Sequence, residues 1–265
     1  MSDSSSVTPV GTMNLAGKKG LVVGIANDQS IAYGCARHCR AYGAELAVTY
    51  LNEKAEKWVR PLADGLEAPI VLPCDVRAEG ELEAVFDKIA RQWGKLDFVI
   101  HSIAFANRED LHGRVTDCSR DGFALAMDVS CHSFIRMARL AEPLMTDGGC
   151  MMTVSFYGGR KVVEHYNVMG PVKAALESAT KYMAHELGPK GIRVVALSPG
   201  PLKTRAASGI DRFDELMALA ADKAPTHQLA TIDDCGAMAA FLVSDQAKAI
   251  TGTTLFIDGG YHIVG

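Results

Sequence analysis

Residues 20–34 read GLVVGIANDQSIAYG, and the fold turns on how this stretch is understood. Gly20–Gly24 is a short apolar run without polar alternation, the pattern of a strand covered on both faces. Helical spacing begins at Ile31 and runs to Tyr42. Between them, Gly24–Gly34 makes a junction rich in small residues. Such a junction lets backbone N–H groups and the helix dipole approach a pyrophosphate. The spacing is not G-x-G-x-x-G, so taken alone it fits an ordinary tight turn equally well. Its place at the C-terminal edge of the first strand, where doubly wound sheets bind ligands, favours the dinucleotide reading.

The same alternation continues outward along the chain. Strands are expected at Glu45–Tyr50, Pro69–Cys74, Leu96–His101, Cys150–Ser155, Ile192–Leu197 and Thr253–Ile257. Helices are expected at Glu53–Leu66, Glu79–Trp93, Gly122–Met145, Val168–Leu187 and Ile232–Val243, the last capped by Thr231 with Asp234. Repeated strand–helix–strand units imply right-handed crossovers. The expected architecture is α/β, a single Rossmann-type doubly wound domain whose seven-stranded parallel sheet is flanked by helices on both faces. Residues 1–12, polar and serine-rich, are expected to form a flexible arm before a domain at 13–265. Ser198 to about Asp211 is the longest irregular stretch.

Bulk properties narrow the function. The chain has 265 residues, 48% of them hydrophobic, enough for one sizeable core. Its formal charge is −4, from 27 basic and 31 acidic residues, without a basic stripe for phosphate backbones, so nucleic acid is not an expected partner. No apolar run approaches the roughly 18 residues of a membrane span, and the start lacks a secretory pattern; a cytoplasmic protein is expected. The seven cysteines include no CxxC pair. Cys35 and Cys39, four apart, are read as small buried residues rather than ligands. The eight histidines show no zinc-site spacing, so no metal is expected.

Two segments carry candidate chemistry. His101–Ala106 reads HSIAFA, where small residues let backbone pass close to a cofactor. Farther on, Tyr166 and Lys173 lie seven apart, two helical turns, and would project from nearly one face. A lysine beside the nicotinamide ribose and a tyrosine hydroxyl donating to an enolate-like oxygen would form a hydride-transfer site. The second strand ends Tyr50-Leu51-Asn52-Glu53, with neither an acid nor an arginine at its tip, which leaves NADH against NADPH open. Asp75 reads as an adenine contact or, equally, as a cap at the approach to a helix.

These residues resemble the short-chain dehydrogenase/reductase superfamily and, within it, the NADH-dependent enoyl-acyl-carrier-protein reductases of bacterial fatty-acid synthesis. The resemblance runs from about Leu15 to His262. It rests on GIANDQSIAYG, CDV at Cys74–Val76, HSIAFA, YNVMGPVKAALE at Tyr166–Glu177, SPGPLKTRAASGI at Ser198–Ile210 and DGG at Asp258–Gly260. Ordinary superfamily members have Tyr-x3-Lys, but the position four before Lys173 is Met169, which has no proton to give; Tyr-x6-Lys is the enoyl-reductase version.

The resemblance implies Tyr166 at the thioester carbonyl and Lys173 at the nicotinamide ribose. Phe156 falls at a catalytic position where many relatives carry a second tyrosine. It implies Gly24, Ser30 and Ile31 at the pyrophosphate, Asp75 and Val76 at the adenine, and Ser102 and Ala104 at the ribose side. Leu202 and Thr204 match contacts to the nicotinamide amide and phosphate, and Leu51 and Ile103 complete the cofactor set. Ala106, Tyr166, Met169 and Ala206 are the implied substrate contacts, under a lid at about 199–223 whose mobile part runs from Ala206 to about Met217. Pro199 and Arg205 stand where an alanine and an apolar lid residue are usual. Acyl-carrier protein is the implied partner, and a homotetramer packed through the two long helices is the implied assembly, although those helices' surplus apolar residues would equally suit the sheet. The alternatives are a carbonyl reductase acting on 3-oxoacyl thioesters or ketones, which Met169 opposes, and a non-catalytic dinucleotide-binding regulator, which the intact Tyr166 and Lys173 oppose.

Overall fold

The structure is a computed structural model and describes residues 13–205, 207 and 210–264. The expected arm at 1–12 and the substrate residue Ala206 lie outside the described residues. Seven strands form one parallel sheet: β1 (Lys19–Val23), β2 (Glu45–Tyr50), β3 (Ile70–Pro73), β4 (Phe98–His101), β5 (Gly149–Val154), β6 (Ile192–Pro199) and β7 (Thr254–Ile257). Their order is β3-β2-β1-β4-β5-β6-β7, so the direction of winding reverses between β1 and β4. The α-helices among the described residues are α1 (Ile31–Ala41), α2 (Glu53–Gly65), α3 (Glu81–Trp93), α4 (Arg108–Leu111), α5 (Arg120–Met127), α6 (Ser133–Ala141), α7 (Met169–Leu187), α8 (Phe213–Lys223) and α9 (Ile232–Val243).

Register explains why the strands are apolar throughout. Leu21, Val99, Met151 and Val194 align across β1, β4, β5 and β6 and enter one core, shared with α3, α6 and α7. Their neighbours Val22, Ile100, Met152 and Val195 align one residue on and enter the other core, shared with α1, α2 and α9. Side chains alternate across a strand, so a sheet covered twice needs both sets apolar. Each fully buried Leu, Ile or Phe in these layers contributes about 1.5–3 kcal/mol. On the second face α1 and α9 cross at glycines. A Cβ on Gly34 would lie 2.2 Å from the Ile232 carbonyl oxygen, and one on Gly236 would lie 2.4 Å from that of Gly34. Thr231 and Asp234 form the expected capping box at the start of α9.

The structure departs from the expected elements at α4, a one-turn helix where none was expected, and in two longer stretches. The expected helix over Gly122–Met145 is broken into α5, a π turn at Asp128–His132, α6 and a 3-10 turn at Glu142–Leu144. Hydroxyls are the cause. Ser133 Oγ donates to the Val129 carbonyl at 2.7 Å, and Ser130 Oγ leaves the helix to bond both backbone groups of Phe105, at 2.9 and 3.2 Å. The stretch expected to be a lid contains α8, a helix the sequence reading left out. Its signals were present: Asp214 and Glu215 in the first turn and Lys223 at the end. No helix among the described residues is long and apolar enough to cross a membrane.

Candidate active site

A cleft of about 940 Å³ opens along the C-terminal ends of the strands, at the switch point between β1 and β4. Its floor begins at Gly24, whose φ of +113° belongs to the left-handed region. A Cβ there would lie 2.1 Å from the Ser102 carbonyl oxygen, so the backbones after β1 and β4 meet with no side chain between them. The loop into α1 is closed internally: Ser30 Oγ accepts the N–H groups of Ala26 and Asn27, each at 3.0 Å. Ser30 makes no side-chain cap bond to α1, and Ile31, the first residue of that helix, lines the cleft, so the helix N-terminus opens onto it. A glycine floor, small walls at Ser102 and Ala104, and a helix N-terminus together fit a dinucleotide pyrophosphate.

The structure brings the sequence-derived residues into one place. Gly24, Ile31, Leu51, Asp75, Val76, Ser102, Ile103, Ala104, Leu202 and Thr204 line the cleft, as do Ala106, Phe156, Tyr166, Met169 and Lys173. Ser30 lines an adjoining recess with Gly24, Ser102 and Lys173. Asp75 does not cap α3, whose N-cap is Gly80. Its carboxylate instead accepts from Arg77, at 2.9 Å from Nε and 2.6 Å from Nη2, and the guanidinium holds it below the usual carboxylate range.

Tyr166 is not on the helix that carries Lys173, which corrects the two-turn picture. α7 starts at Met169, and Tyr166 sits in the turn before it. That turn is flanked by two left-handed residues, His165 (φ 63°) and Asn167 (φ 42°), a backbone that costs energy at non-glycine positions. Tertiary contacts hold it. Asn167 Nδ2 donates to the Leu111 carbonyl at 2.6 Å, and the Phe156 ring lies 4.7 Å from the Tyr166 ring. A Cβ on Gly158 would fall 2.4 Å from Tyr166 Cδ1, so that position has room only for glycine. His165 neither touches the cleft nor points simply to solvent; its Nδ1 lies 3.7 Å from Asp211 at the edge of the lid segment.

Burial sets the protonation of the pair. Tyr166 is 7% exposed, and desolvation pushes its hydroxyl up, so it stays a neutral donor. Lys173 is 5% exposed; burial brings its ammonium down to about 8, and Nζ donates to the Val154 carbonyl at 2.7 Å. Behind them His101 is fully buried between Thr153 Oγ1 and Ser133 Oγ, each at 2.8 Å, and burial brings its pKa down to about 3, which keeps the imidazole neutral. Tyr157, next to Phe156, turns away from the cleft onto Phe256 and Tyr261. Cys35 and Cys39 are packed in the core, and among the described residues no His/Cys/Asp/Glu group of three or more is placed to hold a metal.

A parallel seven-stranded sheet, a glycine-floored cleft and a buried tyrosine–lysine pair set what a relative must share. A model of the enoyl-(acyl carrier protein) reductase family matches residues 24–262, the whole of that site. This chain belongs to that family. It is 46% identical over 253 residues to enoyl-acyl-carrier-protein reductase (NADH) FabI of Bacillus cereus, a match covering 95% of this chain and 99% of the other. The crystal structure of the Anaplasma phagocytophilum reductase in complex with NAD superposes with a TM-score of 0.91 at 45% identity, covering 96% of this chain and 98% of that one. The Bacillus cereus reductase with NADP+ and indole naphthyridinone superposes with a TM-score of 0.93 at 45% identity, covering 96% and 100%.

The enoyl-reductase cleft also includes residues that the sequence reading missed. Lys54, Lys57 and Trp58 on α2, Arg77 after β3, and Phe105, Val129 and Phe213 line it as well. The helical spacing of Lys54, Lys57 and Trp58 placed them on one face of α2, but nothing local said that this face overlooks a ligand. Val129 enters through the π turn, which periodicity could not reveal.

Proposed function

We propose that the chain reduces the trans-2 double bond of enoyl-acyl-carrier-protein thioesters, with NADH as reductant, in fatty-acid elongation. One observation carries this reading: Tyr166 and Lys173 converge on the cleft while buried Met169 lines it where a carbonyl reductase needs a proton donor.

Gly24, Ser30 and Ile31 take the pyrophosphate, Asp75, Val76 and Leu51 the adenosine end, and Ser102, Ile103, Ala104, Leu202 and Thr204 the nicotinamide end. NADH, when bound, supplies a hydride. Lys173 exchanges its bond to the Val154 carbonyl for the ribose hydroxyls. Tyr166 donates its hydroxyl hydrogen to the thioester oxygen, where charge gathers as the β-carbon is reduced. The enolate of the substrate is then protonated at its α-carbon by a proton that comes from solvent. Phe156 offers no hydroxyl, so it fixes the Tyr166 ring by packing alone. Ala106 and Met169 face the acyl chain, and the segment at about 199–223, with α8, serves as a lid that excludes water. The carrier is acyl-carrier protein, and the enzyme works in the cytoplasm. Exposed Phe123, Ile135 and Tyr182 on α5, α6 and α7 suit a homotetramer packed through these helices.

The test is NADH oxidation, followed by absorbance, with crotonyl- and dodecenoyl-acyl-carrier protein beside matched 3-oxoacyl thioesters. Rapid oxidation with the enoyl set and none with the 3-oxoacyl set is expected. The reverse pattern would turn the assignment to carbonyl reduction, and silence on both with NADH bound would turn it to regulation. A parallel NADPH series reads whether Lys54, Lys57 and Arg77 extend the cofactor range.

A further inference from the structure

Glu177 has no role in the mechanism so far, yet it is a carboxylate only 5% exposed, on α7 one turn beyond Lys173 and on the same face. A buried charge is costly unless it is paired. Both of its oxygens are engaged: Oε1 accepts from Ser155 Oγ at 2.8 Å, and Oε2 accepts from Arg160 Nε at 2.8 Å. Arg160 is itself seated over the Phe256 ring, 4.8 Å from its centre. Val154, the last residue of β5, and the two residues after it therefore each hold one group on α7 or in the turn before it. The Val154 carbonyl takes Lys173 Nζ, the Ser155 hydroxyl takes Glu177, and the Phe156 ring takes the Tyr166 ring.

We infer that Glu177 is a positioning residue: through Ser155 it registers the end of β5 against α7, and its negative charge keeps Lys173 an ammonium when the cofactor arrives. The inference rests on Lys173 being the cofactor-ribose group, as proposed above. The charges around Lys173 make the assignment specific. On β4, His101 is neutral, and Tyr166 in the turn before α7 is protonated. From the π turn, Cys131 faces Lys173, but burial pushes its thiol up and it stays uncharged. Arg160 pairs with Glu177, and Arg205 lines the recess beside Lys173; both are cations. Burial brings Lys173 down to about 8, and Cys131 and Glu177 both oppose it; with the thiol uncharged, Glu177 is the one of these groups that supplies a negative charge.

The sign follows directly. Lys173 binds as the ammonium, so NADH affinity is lost as pH rises through its pKa. Glu177→Gln retains an acceptor for Ser155 but removes the charge, so that loss should move down by about one pH unit. Affinity on the acidic plateau should stay within a few-fold of the parent. The experiment is fluorescence titration of NADH onto the whole chain across pH, with kcat/KM for NADH alongside. Arg160→Gln removes a cation instead and should move the limb up. An unmoved limb in Glu177→Gln would overturn the inference. If that variant does not fold, an unmoved or lowered limb in Arg160→Gln would do the same. Failure of the parent chain to reduce enoyl thioesters would strike the proposed function, while the binding limb would still judge Glu177.

Discussion

Replacing Tyr166 with Phe lowers turnover of an enoyl thioester by about 100–1,000-fold, the cost of removing one preorganised oxyanion donor. The substitution isolates the hydroxyl. The ring remains packed on Phe156 and fits the space that Gly158 leaves open, so the strained turn at His165 and Asn167 keeps its supports. Phe156 cannot deputise, having no hydroxyl, and Tyr157 is turned into the cluster with Phe256 and Tyr261. NADH affinity should therefore be unchanged within a few-fold while the single-turnover rate falls. Near-normal turnover in the variant would remove Tyr166 from the reaction.

Replacing Lys173 with Met should abolish useful activity and raise thermal stability together. Hydrogen bonds to a charged group are worth about 1.5–3 kcal/mol, so losing the ammonium should weaken NADH binding by roughly 10–100-fold, with a further loss in kcat from a misplaced nicotinamide. Stability moves the other way. The ammonium titrates near 8 in the fold against an ordinary value of 10.5, so folding disfavours the charged form. The penalty, about 3 kcal/mol at neutral pH, is fully present below the folded value and is relieved as pH rises from about 8 toward 10.5. Met keeps the apolar stem and discards that penalty, so calorimetry at pH 7 should give a melting temperature at or above the parent's. A folded, more stable, inactive variant would mark Lys173 as a residue retained for function at the expense of the fold. A lower melting temperature with NADH binding retained would mark it as structural.

Much of this was legible in the sequence because periodicity and junction chemistry are local. β2 and α9 begin and end where the apolar pattern and the Thr231–Asp234 cap placed them. Gly24, Ser102 and Ala104 announced a close backbone approach by being small, and the cleft duly runs between them. What escaped reading is what depends on distant partners. The π turn at Asp128–His132 arises from Ser133 bonding back to Val129 and from Ser130 reaching Phe105, 25 residues away, and no local window of sequence contains that second contact. Tyr166 reaches the cleft by a left-handed turn held from Leu111 and Phe156, whereas seven-residue spacing suggested a helix face. Nothing near Glu177 in the sequence sets it apart from other acids on helices; Ser155 and Arg160 close around it only in the fold.

The central claim is that this cleft delivers a hydride to the β-carbon of an enoyl thioester. The most direct measurement follows the atoms: reduction of crotonyl-acyl-carrier protein with NADH deuterated at both C4 positions, and mass and NMR analysis of the released acyl group. One deuterium is expected at the β-carbon and a solvent-derived hydrogen at the α-carbon, with the amount of this labelled product formed in a fixed time falling in the Tyr166 and Lys173 variants in proportion to their rates. Deuterium at the α-carbon or on a reduced carbonyl, or no transfer from bound NADH, would contradict it.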